Sequence, residues 1–564
     1  MTIFKLRDYL STAISHLRNL IDGVWGFSLI YIVYFAVILT LHYMAWDAIA
    51  EDWLSTPLVI AFIAVTLGVV SLTTRLAPDT AEALCRKLSE VIERRWRLAL
   101  ALLFTMAIAI PAVVAFSVLD CFPNSGDEYA YLFQANQLKA GRLWVDAPPL
   151  DYTFVPYRTW IIGEKWLSQY PPGWPAVIAA AMVAGIPAWM TNALIGAAGV
   201  GALVSPLWRY PSRAATIIGA WVYILTPFYI MNAASFFSHT LTALLILLFC
   251  LSCLWYQRDR RILPLAASGV ILGLIGITRY FTLILMFPAL CHWLFVDNRR
   301  DWFKAVTVMS LAGLPFLGLL MVYQYLVTGS PIRTTYALIA ASDTFISISP
   351  GSILRGAALT FDRLKELEIW ASPLLPFAYL ISLGFKFKYR SIAFYDLIFP
   401  CFIAGYVFFP DLGGNRYGPR YYYDAFPLMI VTIISAMPHV LAWVGSTRWH
   451  SLVANVVAAT LIYLLTGLPF VSSSYHRQVE ARQEPYRLAL MNGLENAIVI
   501  IKSSSGKNLL AEDLTRNEPG LQASILYARA IADPEELRRI FPHRSIWAYV
   551  RKGKGAGRLE LVLP

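Results

Sequence analysis

The residues whose types invite chemistry are few, and they gather in a handful of polar segments. Asp127 and Glu128 stand in DCFPNSGDEYAYLFQANQLKAGRLW, residues 120–144. A carboxylate within reach of a substrate hydroxyl can act as a general base. Arg416 and Arg420 are four residues apart in DLGGNRYGPRYYYD, residues 411–424, and guanidinium groups suit bidentate contact with phosphate. Arg279 lies in IGITRY (275–280) and His239 in SFFSHT (235–240). One base and several fixed cations are what transfer from a phosphate leaving group to a hydroxyl needs. Each residue also has a plainer reading that stays open. Asp127 would complement a helix dipole from the first turn, the arginines would snorkel among interfacial tyrosines, and His239 would be a packed, hydrogen-bonded histidine instead of a metal ligand. The sequence around these groups contains no HExxH, P-loop or GxSxG context.

What must position these residues is a membrane domain. Of 564 residues 58% are hydrophobic and 14% charged, against about 25% charged in soluble proteins, and mean hydropathy is +0.58. This excludes a cytosolic enzyme, a nucleic-acid binder and a secreted disulfide scaffold. The net charge of +11 sits mostly in short loops, as the positive-inside rule describes. Apolar runs near 26–46, 57–75, 98–119, 189–208, 214–231, 239–256, 263–279, 281–296, 304–327, 371–385, 392–410, 424–443 and 450–470 give thirteen expected spans. With a cytoplasmic N-terminus, the inner loops hold Arg209 and Arg213, then Arg258, Arg260 and Arg261, then Arg299, Arg300 and Lys304, then Lys386, Lys388 and Arg390. The run 174–187 is too short to cross and reads as an interfacial or re-entrant helix. Residues 79–97 read as a basic amphipathic helix on the cytoplasmic surface. Six cysteines are scattered, and Cys250 and Cys253 read as packing residues.

Three domains are expected: 1–97, with two N-terminal spans and the basic helix; 98–470, a transmembrane core; and 471–564, a small extracytoplasmic α/β domain. Polar segments 120–188, 328–370 and 411–423 all fall on the outer side. In the first, 127–140 reads as an amphipathic helix, and the prolines of YPPGWP (170–175) set a rigid path onward. In the last domain 497–501, 524–528 and 545–550 read as strands. Asp533-Pro534-Glu535-Glu536 opens a helix through Ile540.

Taken together, residues 98–470 resemble the GT-C superfamily of membrane glycosyltransferases, which includes aminoarabinose transferases and protein O-mannosyltransferases. The resemblance rests on four features in order: a span followed by Asp127-Glu128; the YPPGWP entry; the LTPF…SFFSHT pair at 225–240; and the Gly-rich span ending Thr278-Arg279. The run GNRYGPRYYYDAFP (414–427) is similar to bacterial relatives. The resemblance implies an α-helical polytopic fold of about thirteen spans. It implies inverting transfer of a sugar from a polyprenyl-phosphate donor to a glycan, glycolipid or protein acceptor, on the periplasmic face of a bacterial inner membrane. Asp127 would be the base, with Glu128 beside it. Arg279, Arg416, Arg420 and Lys165 would hold the donor phosphate, and Tyr129, His239, Arg333, Tyr417 and Tyr421 would line the substrate. The segment 328–370, with Arg333, Asp343 and Arg355, would close as a lid. Many relatives carry an acid where this chain has His239, so a divalent metal there stays open and no cofactor is certain. Partners would be lipid-linked sugar, acceptor and membrane lipid, with no nucleic acid. A transporter or flippase of lipid-linked sugars, or a non-catalytic binder of them, is the alternative. Against transport, the sequence shows no internal repeat.

Overall fold

The computed structural model describes residues 78–339, 349–372, 374–409, 414–502, 511–551 and 556–564. The two apolar runs expected at 26–46 and 57–75, and Asp343, lie outside the described residues. The chain runs through α1 (Pro78–Arg94), α2 (Trp96–Ser117), α3 (Gly126–Lys139), β1 (Val145–Asp146), β2 (Thr159–Ile162), β3 (Lys165–Ser168), α4 (Gly173–Val183) and α5 (Thr191–Leu203). Next come α6 (Arg213–Ile224), α7 (Pro227–Ala234), α8 (His239–Asp259), α9 (Ile262–Thr278), α10 (Tyr280–His292) and α11 (Trp302–Thr328). Beyond these are α12 (Thr335–Ile339), α13 (Pro350–Trp370), α14 (Leu374–Lys388), α15 (Ile398–Tyr406), α16 (Phe426–Val444) and α17 (Ser446–Met491). The chain closes with β4 (Ala497–Ile501), α18 (Ala511–Leu514), β5 (Ile525–Arg529), α19 (Pro534–Ile540), β6 (Ser545–Val550) and β7 (Arg558–Leu563).

The helical part is a membrane domain. Among the described residues seven helices are long and apolar enough to cross a bilayer, or nine if each of two bent pairs counts as one span. Eleven of the thirteen expected runs fall within the described residues, and not all of those eleven form one straight, full-length helix. The run 214–231 is instead broken at Leu225-Thr226: the Thr226 hydroxyl caps a new helix that starts at Pro227, and α6 and α7 meet at 63°. The runs at 263–279 and 392–410 form the apolar helices Ile262–Thr278 and Phe394–Tyr406, both shorter than eighteen residues. The run 174–187 folds as the eleven-residue α4. α8 is the most enclosed candidate span, with 78% of its apolar window buried, whereas α11 has 11%; α8 is therefore the hub and α11 a rim helix.

α17 runs for 46 residues without a break, through Pro469 and Pro485. It crosses residue 471, where a domain boundary was expected, and its end forms part of the C-terminal unit. There a four-stranded sheet has the order β5-β4-β6-β7, with β4 parallel to both neighbours and β7 antiparallel to β6. β4, AIVII, is buried at every position, as a central parallel strand covered on both faces should be. Ile498 and Ile500 pack with Phe154 and Leu537. Val499 and Ile501 face the other way, toward Tyr486 and Ala489 of α17. Phe154 belongs to the 120–188 segment, so this sheet and the polar segment share a core.

Candidate active site

Helix α3 begins with Ser125-Gly126-Asp127-Glu128, a capping-box sequence. Ser125 Oγ accepts from the Glu128 N–H at 3.2 Å and donates to Glu128 Oε2 at 3.0 Å. Glu128 Oε1 accepts from the Phe236 N–H at 3.0 Å, and the side chain is wholly buried. Burial pushes its carboxyl above the ordinary value, against the opposing pull of that N–H, Arg416, Ser125 and Arg516. Both Glu128 oxygens therefore have protein partners, one at the helix start and one at Phe236. Asp127, one residue earlier, is left facing outward.

Asp127 is the centre of a partly exposed polar cluster. Its Oδ1 accepts a short hydrogen bond from the Tyr170 hydroxyl and lies 3.4 Å from Arg158 Nε. Its Oδ2 accepts from Arg420 Nη2 at 3.1 Å. Burial raises its pKa, but Arg158, Arg420, the Tyr170 hydroxyl and Arg416 outweigh that and hold it below the ordinary carboxylate range. Tyr170 is pushed far the other way, by burial and then by the Asp127 charge, so it stays a proton donor in that hydrogen bond. Tyr170 packs on Tyr131 at 4.3 Å and on Tyr336 at 5.7 Å between ring centres. The Arg420 guanidinium rests over the Phe237 ring at 4.4 Å.

A second acid adjoins the first. Asp424 is fully buried. Its Oδ2 lies 3.2 Å from Arg279 Nε and accepts from Thr282 Oγ1 at 2.9 Å. Its Oδ1 is 2.7 Å from His239 Nδ1, while His239 Nε2 is 3.4 Å from Arg279 Nη1. A guanidinium can only donate, so Nε2 accepts and Nδ1–H donates to Asp424. Both ring nitrogens of His239 thus have protein partners within hydrogen-bond reach. Among the described residues no group of three or more His, Cys, Asp or Glu side chains is placed to hold a metal ion. Arg279 Nη1 also donates to Ser238 Oγ at 3.2 Å, and Tyr131 OH lies 3.3 Å from the same oxygen. Ser238 and Tyr131 thus link the two carboxylate clusters.

Of the residues singled out in the sequence, Asp127, Arg279, Arg420, His239 and Tyr421 come together here. Tyr421 stacks on Tyr406 with 4.8 Å between ring centres, and the Arg363 guanidinium lies 5.0 Å from its ring centre. Arg416 reaches the edge, where its Nη1 donates to the Asn124 carbonyl. The others stand apart. Lys165 caps the end of α11 through the Leu326 carbonyl at 2.6 Å and lies over Trp144. The Tyr129 hydroxyl donates to the Asn517 carbonyl at 2.8 Å. Tyr417 is buried between Phe237 and Tyr475. Arg333 is exposed on the segment after α11. Arg158, Tyr170 and Asp424 were not expected. A lone carboxylate next to an apolar run was the signal for Asp424; Arg158 and Tyr170 carried none.

No family model matches the chain, and no curated protein does. Solved structures do. ArnT from Cupriavidus metallidurans bound to undecaprenyl phosphate is 12% identical, over 81% of this chain and 97% of that one, with a TM-score of 0.48. The archaeal oligosaccharyltransferase AglB from Archaeoglobus fulgidus, in complex with an inhibitory peptide and a dolichol-phosphate, is 12% identical over 81% and 70%, with a TM-score of 0.45. Arabinofuranosyltransferase AftD from Mycobacteria is 17% identical over 78% and 33%, with a TM-score of 0.36.

Proposed function

We propose that this chain is a membrane glycosyltransferase that moves a sugar from a polyprenyl-phosphate donor to a hydroxyl of an envelope acceptor, on the outer face of a bacterial inner membrane. The observation that carries the reading is Asp127, held at a helix start between Arg158 and Arg420 with its charge partly exposed. Three guanidiniums, of Arg158, Arg279 and Arg420, face two carboxylates, and the surplus positive charge suits a phosphodiester.

In this reading the donor phosphate competes with Asp127 for Arg158 and Arg420. Arg279, fixed by Asp424 and His239, adds a third contact without reorganising, which is how preorganised cations stabilise developing charge. As the arginines turn to phosphate, Asp127 loses the partners that depress its pKa and becomes a stronger base. It then takes the proton of the acceptor hydroxyl. The acceptor oxygen attacks the anomeric carbon from the face opposite the phosphate. The carbon–oxygen bond to phosphate breaks, and polyprenyl phosphate leaves with the electron pair. Inversion follows from this single displacement, and no carboxylic acid is needed on the leaving side, unlike glycoside hydrolysis.

The test is a transfer assay with purified protein, a panel of polyprenyl-phosphate sugars and envelope extract. Labelled acceptor and free polyprenyl phosphate, both lost in Asp127→Asn, support the reading. Tight donor binding with no turnover in the wild type would move it to transport or to non-catalytic binding.

A further inference from the structure

The segment Asp513–Asn517 and Arg482 of α17 make a buried polar network away from the reacting groups. We propose that this network is a brace of positioning residues that sets Asp127 at its working distance, a role that rests on the transferase reading above. The chain is fastened on both sides of Asp127. Before it, Arg516 Nη1 donates to the Pro123 carbonyl at 2.5 Å and Arg482 Nη1 donates to Asn124 Oδ1 at 3.1 Å. After it, the Tyr129 hydroxyl donates to the Asn517 carbonyl at 2.8 Å. The Arg516 guanidinium lies over the rings of Phe122, at 4.6 Å, and Tyr129, at 5.2 Å. Between the two fastenings there is no slack, because a Cβ at Gly126 would run into Tyr157 and Asp513.

The brace is itself tied to the C-terminal sheet. Arg482 Nε donates to Asp513 Oδ2 at 3.1 Å, and Arg516 Nε donates to the Asp513 carbonyl at 2.9 Å. Asn517 Nδ2 donates to the carbonyls of Tyr527, in β5, and Phe154, at 2.7 and 2.9 Å, and its Oδ1 accepts from the Tyr527 N–H at 2.9 Å. Arg482 and Asn517 are 1% and 2% exposed. Burying two guanidiniums is costly unless their partners are well placed, and here those partners flank the N-cap of α3. Apolar contacts of Phe154 and Leu150 already pack this segment against the sheet. The polar ties add directional control over the backbone that carries Asp127. Proton transfer needs that control, since a misplacement of about 1 Å costs roughly a hundredfold in rate.

The experiment compares wild type, Arg516→Gln, Arg516→Lys and Tyr129→Phe in the full-length protein by two readouts. Hydrogen exchange should show residues 123–131 losing protection in Arg516→Gln while the sheet strands keep theirs. In the transfer assay, kcat of Arg516→Gln should fall about tenfold or more, with donor KM changed less than about twofold. Arg516→Lys should recover part of that loss, and Tyr129→Phe should lose less. The acid limb of the kcat profile should also move, because Asp127 shifts against Arg158, Arg416, Arg420, Tyr131, Tyr170 and Tyr336, the groups that face it. Unchanged protection at 123–131 overturns the brace. So does a loss of rate that tracks the folded fraction with an unmoved pH profile. Wild type that transfers no sugar sinks the transferase reading instead, and the exchange readout still decides whether the brace holds α3.

Discussion

In the proposed reaction, replacing Asp127 by Asn should separate catalysis from donor binding, the two moving in opposite directions. The carboxylate accepts from Tyr170 on Oδ1 and from Arg420 on Oδ2, with Arg158 Nε 3.4 Å away. An amide can keep its oxygen toward Tyr170, but its NH2 then faces the Arg420 guanidinium, donor against donor. Arg420 is released, and the hold on Arg158 drops to a neutral contact. The lost base should lower turnover by about 10²–10⁴-fold, equivalent to about 3–5.5 kcal/mol in the barrier. The freed guanidiniums no longer have to leave a carboxylate to meet the donor phosphate. A hydrogen bond to a charged group is worth about 1.5–3 kcal/mol, so gaining one such contact tightens donor binding by about 10- to 150-fold. The assay is release of polyprenyl phosphate under single-turnover conditions, beside equilibrium binding of unlabelled donor in the absence of acceptor. Turnover within about tenfold of wild type would refute the base assignment. Weaker donor binding in Asp127→Asn would refute the competition between Asp127 and phosphate.

The remaining predictions concern pH and stability. Arg158, Arg420, the Tyr170 hydroxyl and Arg416 together overcome the upward push of burial and hold the Asp127 carboxyl below the ordinary carboxylate range. The base form is present above that lowered value and is lost as pH falls through it, so kcat/KM should stay flat down to about pH 4. In Arg158→Gln the limb should move upward; a limb near neutrality in wild type would contradict the assignment. The same depression contributes stability that is present above the unfolded carboxylate value and lost as pH falls through the folded one. Asp424→Asn leaves the partly buried Arg279 without its counter-charge, and thermal unfolding should register a loss of up to about 3 kcal/mol. Removing both charges, in Asp424→Asn with Arg279→Gln, should recover part of it. Equal losses in the single and double variants would show that the ion pair is not the cause. Gly418 has φ +88°, and a Cβ there would strike Trp370 and Phe228. Gly418→Ala should therefore cost about 1–3 kcal/mol and disturb Arg420, whose N–H donates to the Gly418 carbonyl at 2.7 Å. Unfolding indistinguishable from wild type would show that the loop relaxes freely.

The sequence by itself determined what local chemistry and periodicity can determine. It marked a membrane protein, because burying 58% hydrophobic residues in a water-soluble surface is not available to a chain with so few charges. It placed strands at 497–501, near 525 and at 545–550, and a helix after Asp533, because their apolar runs and caps act over a few residues. It drew attention to Asp127 as a carboxylate fit to act as a base, to Arg420 as a phosphate-binding guanidinium, and to Arg279 as an ionisable residue beside an apolar span. It could not say which of Asp127 and Glu128 faces outward. Ser125 caps the helix in a way that turns Glu128 inward to the Phe236 N–H, and Phe236 is more than a hundred residues away. Asp424 had to find His239, 185 residues away in sequence, and Arg279, and Tyr170 had to reach Asp127 from later in the same polar segment. The break at Leu225-Thr226 has a local cause in Thr226 before Pro227, though the run 214–231 was read as one span, and its 63° bend depends on what the two halves pack against. The joining of the C-terminal sheet to the Asp127 loop was likewise invisible, since Arg482, Arg516 and Asn517 look like ordinary surface residues until folding buries them. Ion pairs and shared cores between distant segments are properties of packing, and only the tertiary structure decided them.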